Sequence, residues 1–383
     1  MKFRVGILGS YGGLNLGDEA ILQVMIEQLR ASLPVEITVF SRNADDTRRR
    51  HQVEHVIPFG KLGRDEVAPI VANLDLLILG GGGLLYDQDV EVYLREVSVA
   101  QEMGVPVMVY GISAGPLDNS ESRMRVRTVL NQAAVVSVRE PRARKLLADI
   151  GLRRKIRLTA DPAFLLQPEP FTAEIRSLED RQKGRRLVGI SVREPGPAAP
   201  DLDREHYHSL LAAAADFIVD RMCADLVFVP MERRQFDVQH SHAVISRMTF
   251  AENASVLHGD YTPGQILDLV GRLDFAVGMR LHFLMFAAMQ RVPFVPLPYA
   301  PKVEGLLEDL DLEALPVKQM TIGPLLSYID RAWDLRARIK AKLDRRVPGL
   351  QERAGLNNQL AVSLLREIET WKDRRPGGIP RAR

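Results

Sequence analysis

The stretch Phe3-Arg4-Val5-Gly6-Ile7-Leu8 runs directly into Gly9-Ser10-Tyr11-Gly12-Gly13-Leu14-Asn15-Leu16-Gly17-Asp18-Glu19-Ala20. A short apolar, β-branched run, then glycines, then a segment of helical period is how the strand, turn and helix of a βαβ unit read. In such a unit the glycine-bearing turn and the helix N-terminus lie at the carboxyl end of a parallel sheet, where α/β folds bind ligands. Asp18 also reads as an ordinary helix N-cap, since acidic residues favour the first turn. The glycines do not form a strict dinucleotide fingerprint, and no acidic residue clearly closes the second strand pattern at 37–40. That argues against a nicotinamide cofactor.

Outward from this stretch the same alternation repeats. Strand patterns fall at 4–8, 36–40, 74–79, 107–110, 135–138 and 156–158, with helical periods at 18–30, 90–103, 123–132 and 142–150. A polar, proline-bearing stretch at 167–184 interrupts the pattern before a second series begins. Strands are expected there at 187–192, 226–229, 275–277 and 294–297, and helices at 206–223, 263–272, 281–290 and 302–310. Helical period returns at 324–346 and at 357–372, the last segment lying back on the first lobe. The expectation is an α/β protein with parallel sheets in two lobes, 1–180 and 185–346, followed by a C-terminal helix and basic tail at 347–383.

Bulk properties narrow the classes. The chain has 383 residues, beyond the size at which one core stops growing, so two domains are expected. Hydrophobic residues at 46% and charged residues at 26% suit a globular protein with sizeable cores. A formal charge of +2 gives no field that would draw nucleic acid. The single cysteine, Cys223, has no disulfide partner and stands in an apolar stretch, 217–229, that reads as core; a reducing cytoplasm follows. No secretion signal is visible, and no apolar run approaches the roughly 20 residues that cross a bilayer.

Chemistry is expected at the strand ends. Gly80-Gly81-Gly82-Gly83-Leu84-Leu85 follows the strand at 74–79 and reads as a loop whose bare backbone admits a ligand or a neighbouring segment, and Gly111-Ile112-Ser113-Ala114-Gly115-Pro116 follows the next strand in the same way. Ser137-Val138-Arg139-Glu140 and Ser191-Val192-Arg193-Glu194 each end a strand with an arginine, suited to a phosphate or carboxylate and equally to a structural ion pair. Gly278-Met279-Arg280-Leu281-His282 sets a guanidinium and an imidazole two residues apart at a helix start. That is an anion site with an acid/base group. Lys302, after Tyr299-Ala300-Pro301, adds a point charge at the next strand end. Asp87-Gln88-Asp89, Asp201-Leu202-Asp203, His206-Tyr207-His208 and His240-Ser241-His242 lack the supporting ligands of a metal site, so no metal is expected.

Taken in order, residues 15–20, 80–83, 111–116, 137–139, 160–162, 189–193, 278–282 and 299–302 resemble the motif series of the polysaccharide pyruvyltransferase family. Each motif is short, but eight in one order between Gly9 and Lys302 are specific. The resemblance implies two Rossmann-like lobes similar to the GT-B glycosyltransferases, with an interlobe active site, an N-terminal acceptor side and a C-terminal donor side. Its donor is phosphoenolpyruvate, without a further cofactor, and its acceptor a saccharide of a cell-surface glycan or its lipid-linked precursor.

On that resemblance His282 moves the proton at the enol carbon, while Arg280, Arg193, Arg139 and Lys302 hold phosphate and carboxylate. Asp18, with Glu19, is expected to accept a hydroxyl proton, and Tyr11, Gly12, Asn15, Gly17, Glu19, Gly81, Gly82 and Gly83 to supply acceptor contacts or loop backbone. A nucleotide-sugar glycosyltransferase on the same fold is the alternative within enzymes. Ala300, where relatives often carry Asp, and Ser113-Ala114-Gly115, where many carry a Gly-Ile-Gly type, motivate a third reading, a non-catalytic anion-binding protein of a polysaccharide-assembly complex. Finally, Arg331, Arg336, Arg338, Lys340, Lys342, Arg345 and Arg346, then Lys372, Arg374, Arg375, Arg381 and Arg383, form basic runs. They suggest a cytoplasmic protein with peripheral contact to an anionic inner leaflet.

Overall fold

The structure, a computed structural model, describes residues 2–171, 184–194, 203–232, 237–297, 301–313 and 321–374. It divides into two units, one of Met1–Gly13, Asp18–Leu166 and Leu350–Arg383, the other of Leu14–Gly17 and Gln167–Gly349.

The first unit holds a parallel sheet of seven described strands: β1 (Phe3–Leu8), β2 (Val35–Ser41), β3 (His55–Pro58), β4 (Leu76–Leu85), β5 (Val107–Ala114), β6 (Val135–Val138) and β7 (Ile156–Leu158). Their spatial order is β3-β2-β1-β4-β5-β6-β7. Strands of such a sheet are covered on both faces and therefore need apolar side chains at successive positions. Leu76, Leu77, Ile78 and Leu79 meet that need and are fully buried. Crossovers run through α1 (Leu16–Ser32), α2 (Ala44–Arg50), α3 (Arg64–Ala72), α4 (Val90–Glu102), α5 (Ser120–Asn131) and α6 (Pro141–Asp149).

The second unit repeats the plan with five described parallel strands, β8 (Arg186–Ser191), β9 (Ala224–Phe228), β10 (Ala254–Val256), β11 (Phe275–Gly278) and β12 (Phe294–Pro296), ordered β10-β9-β8-β11-β12. Its helices are α7 (Arg204–Met222), α8 (Asp237–Ile245), α9 (Pro263–Gly271), α10 (Leu281–Met289), α11 (Pro301–Leu310) and α12 (Ile322–Asp334). In α10 the side chains of Phe283, Leu284, Met285 and Phe286 are all buried, at about 1.5–3 kcal/mol each. That anchors the helix whose first turn carries His282.

Each sheet starts at an inner strand and grows outward on both sides, so strand order reverses between β1 and β4 and again between β8 and β11. Ligands of open α/β sheets bind at the carboxyl ends flanking such reversals. The glycine stretch after β1 and the glycines of β4 flank the first; Arg193 after β8 and Arg280 after β11 flank the second.

Several expectations are corrected. Gly80 to Gly83 do not form a loop after a strand ending at Leu79, because β4 continues through them, pairing Gly80 with Tyr110, Gly82 with Ile112 and Gly83 with Ser113. Likewise β5 runs on to Ala114. Apolar pattern ends at the glycines, but a backbone ladder needs no side chain. The separate helical segments at 324–346 and 357–372 are instead α12 and one long helix, α13 (Arg336–Arg374), which contains Pro348. Val347 and Leu350 are buried beside that proline, and packing sustains the helix across the missing hydrogen bond. Cys223 is exposed rather than core, since it caps α7 in the left-handed conformation with φ of 51°.

Candidate functional site

In the first unit the stretch after β1 is braced from within. The Tyr11 hydroxyl donates to the Gly80 carbonyl at 2.6 Å. Burial raises the Tyr11 pKa far above its ordinary value, with Asp18 and Glu19 adding to the shift, so the phenol stays a donor. Gly12 adopts φ of +72°, and a Cβ there would stand 2.3 Å from the Ser41 hydroxyl. Its N–H donates to Glu19 Oε1 at 2.8 Å, while Glu19 Oε2 meets His51 Nε2 at 2.9 Å. Glu19 is fully buried with both oxygens engaged. This carboxylate holds the turn, which takes Glu19 out of the pool of hydroxyl-proton acceptors and leaves half-buried Asp18 as the candidate.

The β4 glycines sort by what they touch. At Gly81, with φ of +65°, a Cβ would lie 2.0 Å from Ile21 Cγ2, and at Gly82, with φ of +82°, 3.2 Å from Asp18 Oδ1. Close packing of α1 on the strand explains both. Gly83 is exposed, and a Cβ there would meet nothing within 4 Å. Packing gives no reason for that glycine.

In the second unit, Arg280 closes the turn between β11 and α10 and is 7% exposed. Asp237 receives it twice, at Oδ2 from Nε (3.0 Å) and at Oδ1 from Nη2 (2.5 Å), and Glu232 receives Nη1 at 3.0 Å. Asp237 Oδ2 also accepts the backbone N–H groups of Met231 (3.1 Å) and Glu232 (3.0 Å). Burial raises the Asp237 pKa, and these four donated hydrogen bonds pull it back without cancelling the shift. Sequence reading missed Glu232 and Asp237, because their pairing with Arg280 spans more than forty residues of chain. The signal available was their place beyond the carboxyl end of β9, next to the reversal point.

Residues 14–17 complete this arrangement. Asn15 forms an antiparallel bridge with Glu232, and the Leu16 N–H donates to the Met231 carbonyl at 2.9 Å. Asn15 Oδ1 accepts the Gly17 N–H at 3.0 Å. Gly17 then lies against the imidazole, since a Cβ on it would stand 1.9 Å from His282 Nδ1. Only glycine lets the half-buried ring keep this position.

The other expected anion contacts divide. Arg139 is 5% exposed and bound to Asp161 at 2.5 Å and Glu140 at 3.2 Å, a strand-end ion pair inside the first unit. Arg193 is half-buried at the end of β8; its Nε donates to the Glu194 carbonyl, and its own carbonyl accepts the Tyr207 hydroxyl at 2.9 Å. Lys302 is exposed in the first turn of α11; Tyr299 and Ala300 lie outside the described residues. Behind Arg193, His208 Nε2 and His240 Nδ1 share a hydrogen bond of 2.7 Å. Burial first, then the neighbouring His240, lowers the His208 pKa to about 4. No group of three or more His, Cys, Asp or Glu among the described residues is placed to hold a metal ion.

Known proteins add the following. The model of the family described as polysaccharide pyruvyl transferase matches residues 15–301. No curated protein sequence matches the chain. Among solved structures it is similar to the S. aureus MnaA–UDP complex, with a TM-score of 0.66 at 10% identity over 92% of this chain and 94% of that one. The UDP-GlcNAc 2-epimerase of Neisseria meningitidis bound to UDP-GlcNAc gives 0.62 at 11% identity, covering 96% and 100%. A glycosyltransferase from Rickettsia africae gives 0.57 at 12% identity, covering 98% and 100%. At such identities the likeness is one of fold: the α/β architecture with parallel sheets is that of GT-B enzymes, as the sequence led us to expect.

Proposed function

The chain belongs to the polysaccharide pyruvyl transferase family, and from that premise we propose that it takes the pyruvyl unit of phosphoenolpyruvate and builds a ketal on two hydroxyls of a cell-surface glycan or its lipid-linked precursor. The observation that carries the reading is the placement of Arg280 and His282 two residues apart at the strand reversal of the second sheet, the imidazole seated against Gly17.

In this reading Arg280 and Arg193, with Lys302, hold the phosphate and carboxylate of the donor, as planar and point cations do. Protonated His282 gives its proton to the methylene carbon, leaving an oxocarbenium-like carbon that a first hydroxyl attacks. A second hydroxyl attacks the same carbon and phosphate leaves with the bonding pair. Two hydroxyl protons are lost; one balances the proton taken up by carbon and the other departs with phosphate. Asp18 is the candidate to accept the first. Arg139 is given no donor role, because Asp161 holds it and Glu140, its other partner, is tied to the Ser113 hydroxyl.

The test is donor choice: phosphate release from phosphoenolpyruvate that requires a saccharide acceptor supports the reading, and turnover of UDP- or GDP-sugars instead would make the chain a glycosyltransferase. Binding of phosphoenolpyruvate without product would leave the non-catalytic reading.

No helix among the described residues is long and apolar enough to cross a membrane. A lipid-linked acceptor calls for a cytoplasmic enzyme held weakly at an anionic inner leaflet, and the exposed Arg331, Arg336, Arg338, Lys340 and Arg346 support that role. The patch is smaller than the sequence implied. Lys342 and Arg345 are paired with Asp311, Lys372 with buried Asp75, and Arg375, Arg381 and Arg383 lie outside the described residues.

A further inference from the structure

Arg280 presents an electrostatic difficulty for any anionic ligand. One guanidinium faces two carboxylates, Asp237 and Glu232, so its positive charge is already matched while Glu232 stays on it. Like charges at about 4 Å near a protein surface repel by roughly 4 kcal/mol. A phosphate or carboxylate therefore joins this guanidinium most readily if one of the two resident carboxylates gives way.

The two are held differently. Asp237 has no exposure, and withdrawing it would strip Met231 and Glu232 of the acceptor for their N–H groups. Buried donors left so cost about 1–3 kcal/mol each. Glu232 is held by its main chain, through the N–H on Asp237 and the bridge to Asn15, while its carboxylate is 12% exposed and rests on Arg280 Nη1. The side chain can swing while the backbone stays. Exchange of that carboxylate for an incoming anion keeps the buried guanidinium paired in both states, avoiding the penalty of an uncompensated charge.

We propose that Glu232 is a displaceable stand-in for the anionic group of the substrate: it occupies Arg280 Nη1 in the empty site, and a phosphate or carboxylate takes its place on binding. This rests on the reading of Arg280 as a donor contact. Glu232 thereby acts as a positioning residue that holds Arg280 ready and tunes anion affinity, a role none of the sequence motifs contains.

The consequence is opposite in sign to that of an ordinary ligand contact. In the full chain, Glu232→Gln should bind phosphoenolpyruvate and, separately, inorganic phosphate about 10-fold more tightly than the unaltered protein by titration calorimetry. Glu232→Ala should do the same, and Asp237→Asn should bind more weakly. Equal or weaker binding by both Glu232 variants, with unchanged melting temperatures, would overturn the proposal. Loss of folding in both would make Glu232 a strut and overturn it equally. The underlying reading fails separately: if Arg280→Gln binds both anions as well as the unaltered protein, Arg280 is not the donor contact. If Arg280→Gln abolishes binding while the Glu232 variants do not tighten it, only the exchange is wrong.

Discussion

The two sheets reverse strand order in the same way, yet their carboxyl edges use charge differently. At the first, Glu19 is locked to His51 and the Gly12 N–H, Arg139 to Asp161 and Glu140, and Gly80, Gly81 and Gly82 let α1 pack close. Ionic groups there fix backbone. At the second, a guanidinium and a partly exposed carboxylate pair at the strand end, and a half-buried imidazole opens the helix that follows. The same topology can be used to shape a surface or to offer charge, and the difference lies in what else holds each arginine's outer partner: Glu140 is tied to the Ser113 hydroxyl, whereas Glu232 rests on Arg280 Nη1.

The glycines give the sharpest way to break this contrast. Gly81→Ala puts a Cβ against Ile21 in a left-handed backbone, combining about 1–2 kcal/mol of conformational cost with about 1–3 of overpacking. A loss of roughly 2–5 kcal/mol in chemical denaturation is expected, whereas Gly83→Ala, which meets open space, should change stability by about 0.5 kcal/mol or less. Equal effects at both positions would mean that packing does not explain the glycines of β4.

Most strand ends could be read from the sequence, because apolar runs and the turns after them announce a parallel sheet. β6 and β7 fall where expected, and α10 and α11 differ from expectation by one residue. What escaped reading depends on contacts distant in sequence. The Gly80–Gly83 ladder depends on pairing with β5, β3 is a four-residue edge strand with a histidine in it, and the carboxylates on Arg280 come from another loop. Cys223 misled because an apolar neighbourhood says nothing of a capping residue that turns outward.

The histidine pair behind Arg193 yields a pH dependence. His208 is lowered from an ordinary value near 6.5 to about 4, so as pH falls the unfolded chain takes the proton before the folded one. Its contribution is therefore fully present above about pH 6.5 and lost between there and about pH 4, on the order of 3 kcal/mol. His240 is lowered as well, again mainly by burial. Replacing both with glutamine should flatten this arm of the stability curve; an unchanged slope would place the acid sensitivity elsewhere.

The smallest effect concerns the exposed basic residues of α12 and α13. Each should add about 1 kcal/mol or less of attraction to an anionic surface, screened over roughly 8 Å at physiological salt. Co-sedimentation with anionic vesicles should be weak, reversed by salt, and reduced when Arg331, Arg338 and Lys340 become glutamine. Equal behaviour with neutral vesicles would remove the membrane from the account.

Acceptor-dependent phosphate release from phosphoenolpyruvate, compared between the unaltered chain and His282→Ala, decides whether the second unit's strand end performs the proton chemistry of pyruvyl transfer. Removing a general acid at the enol carbon should slow release by about 10²–10⁴-fold with the melting temperature preserved. A variant that releases phosphate at the unaltered rate would take His282 out of the mechanism.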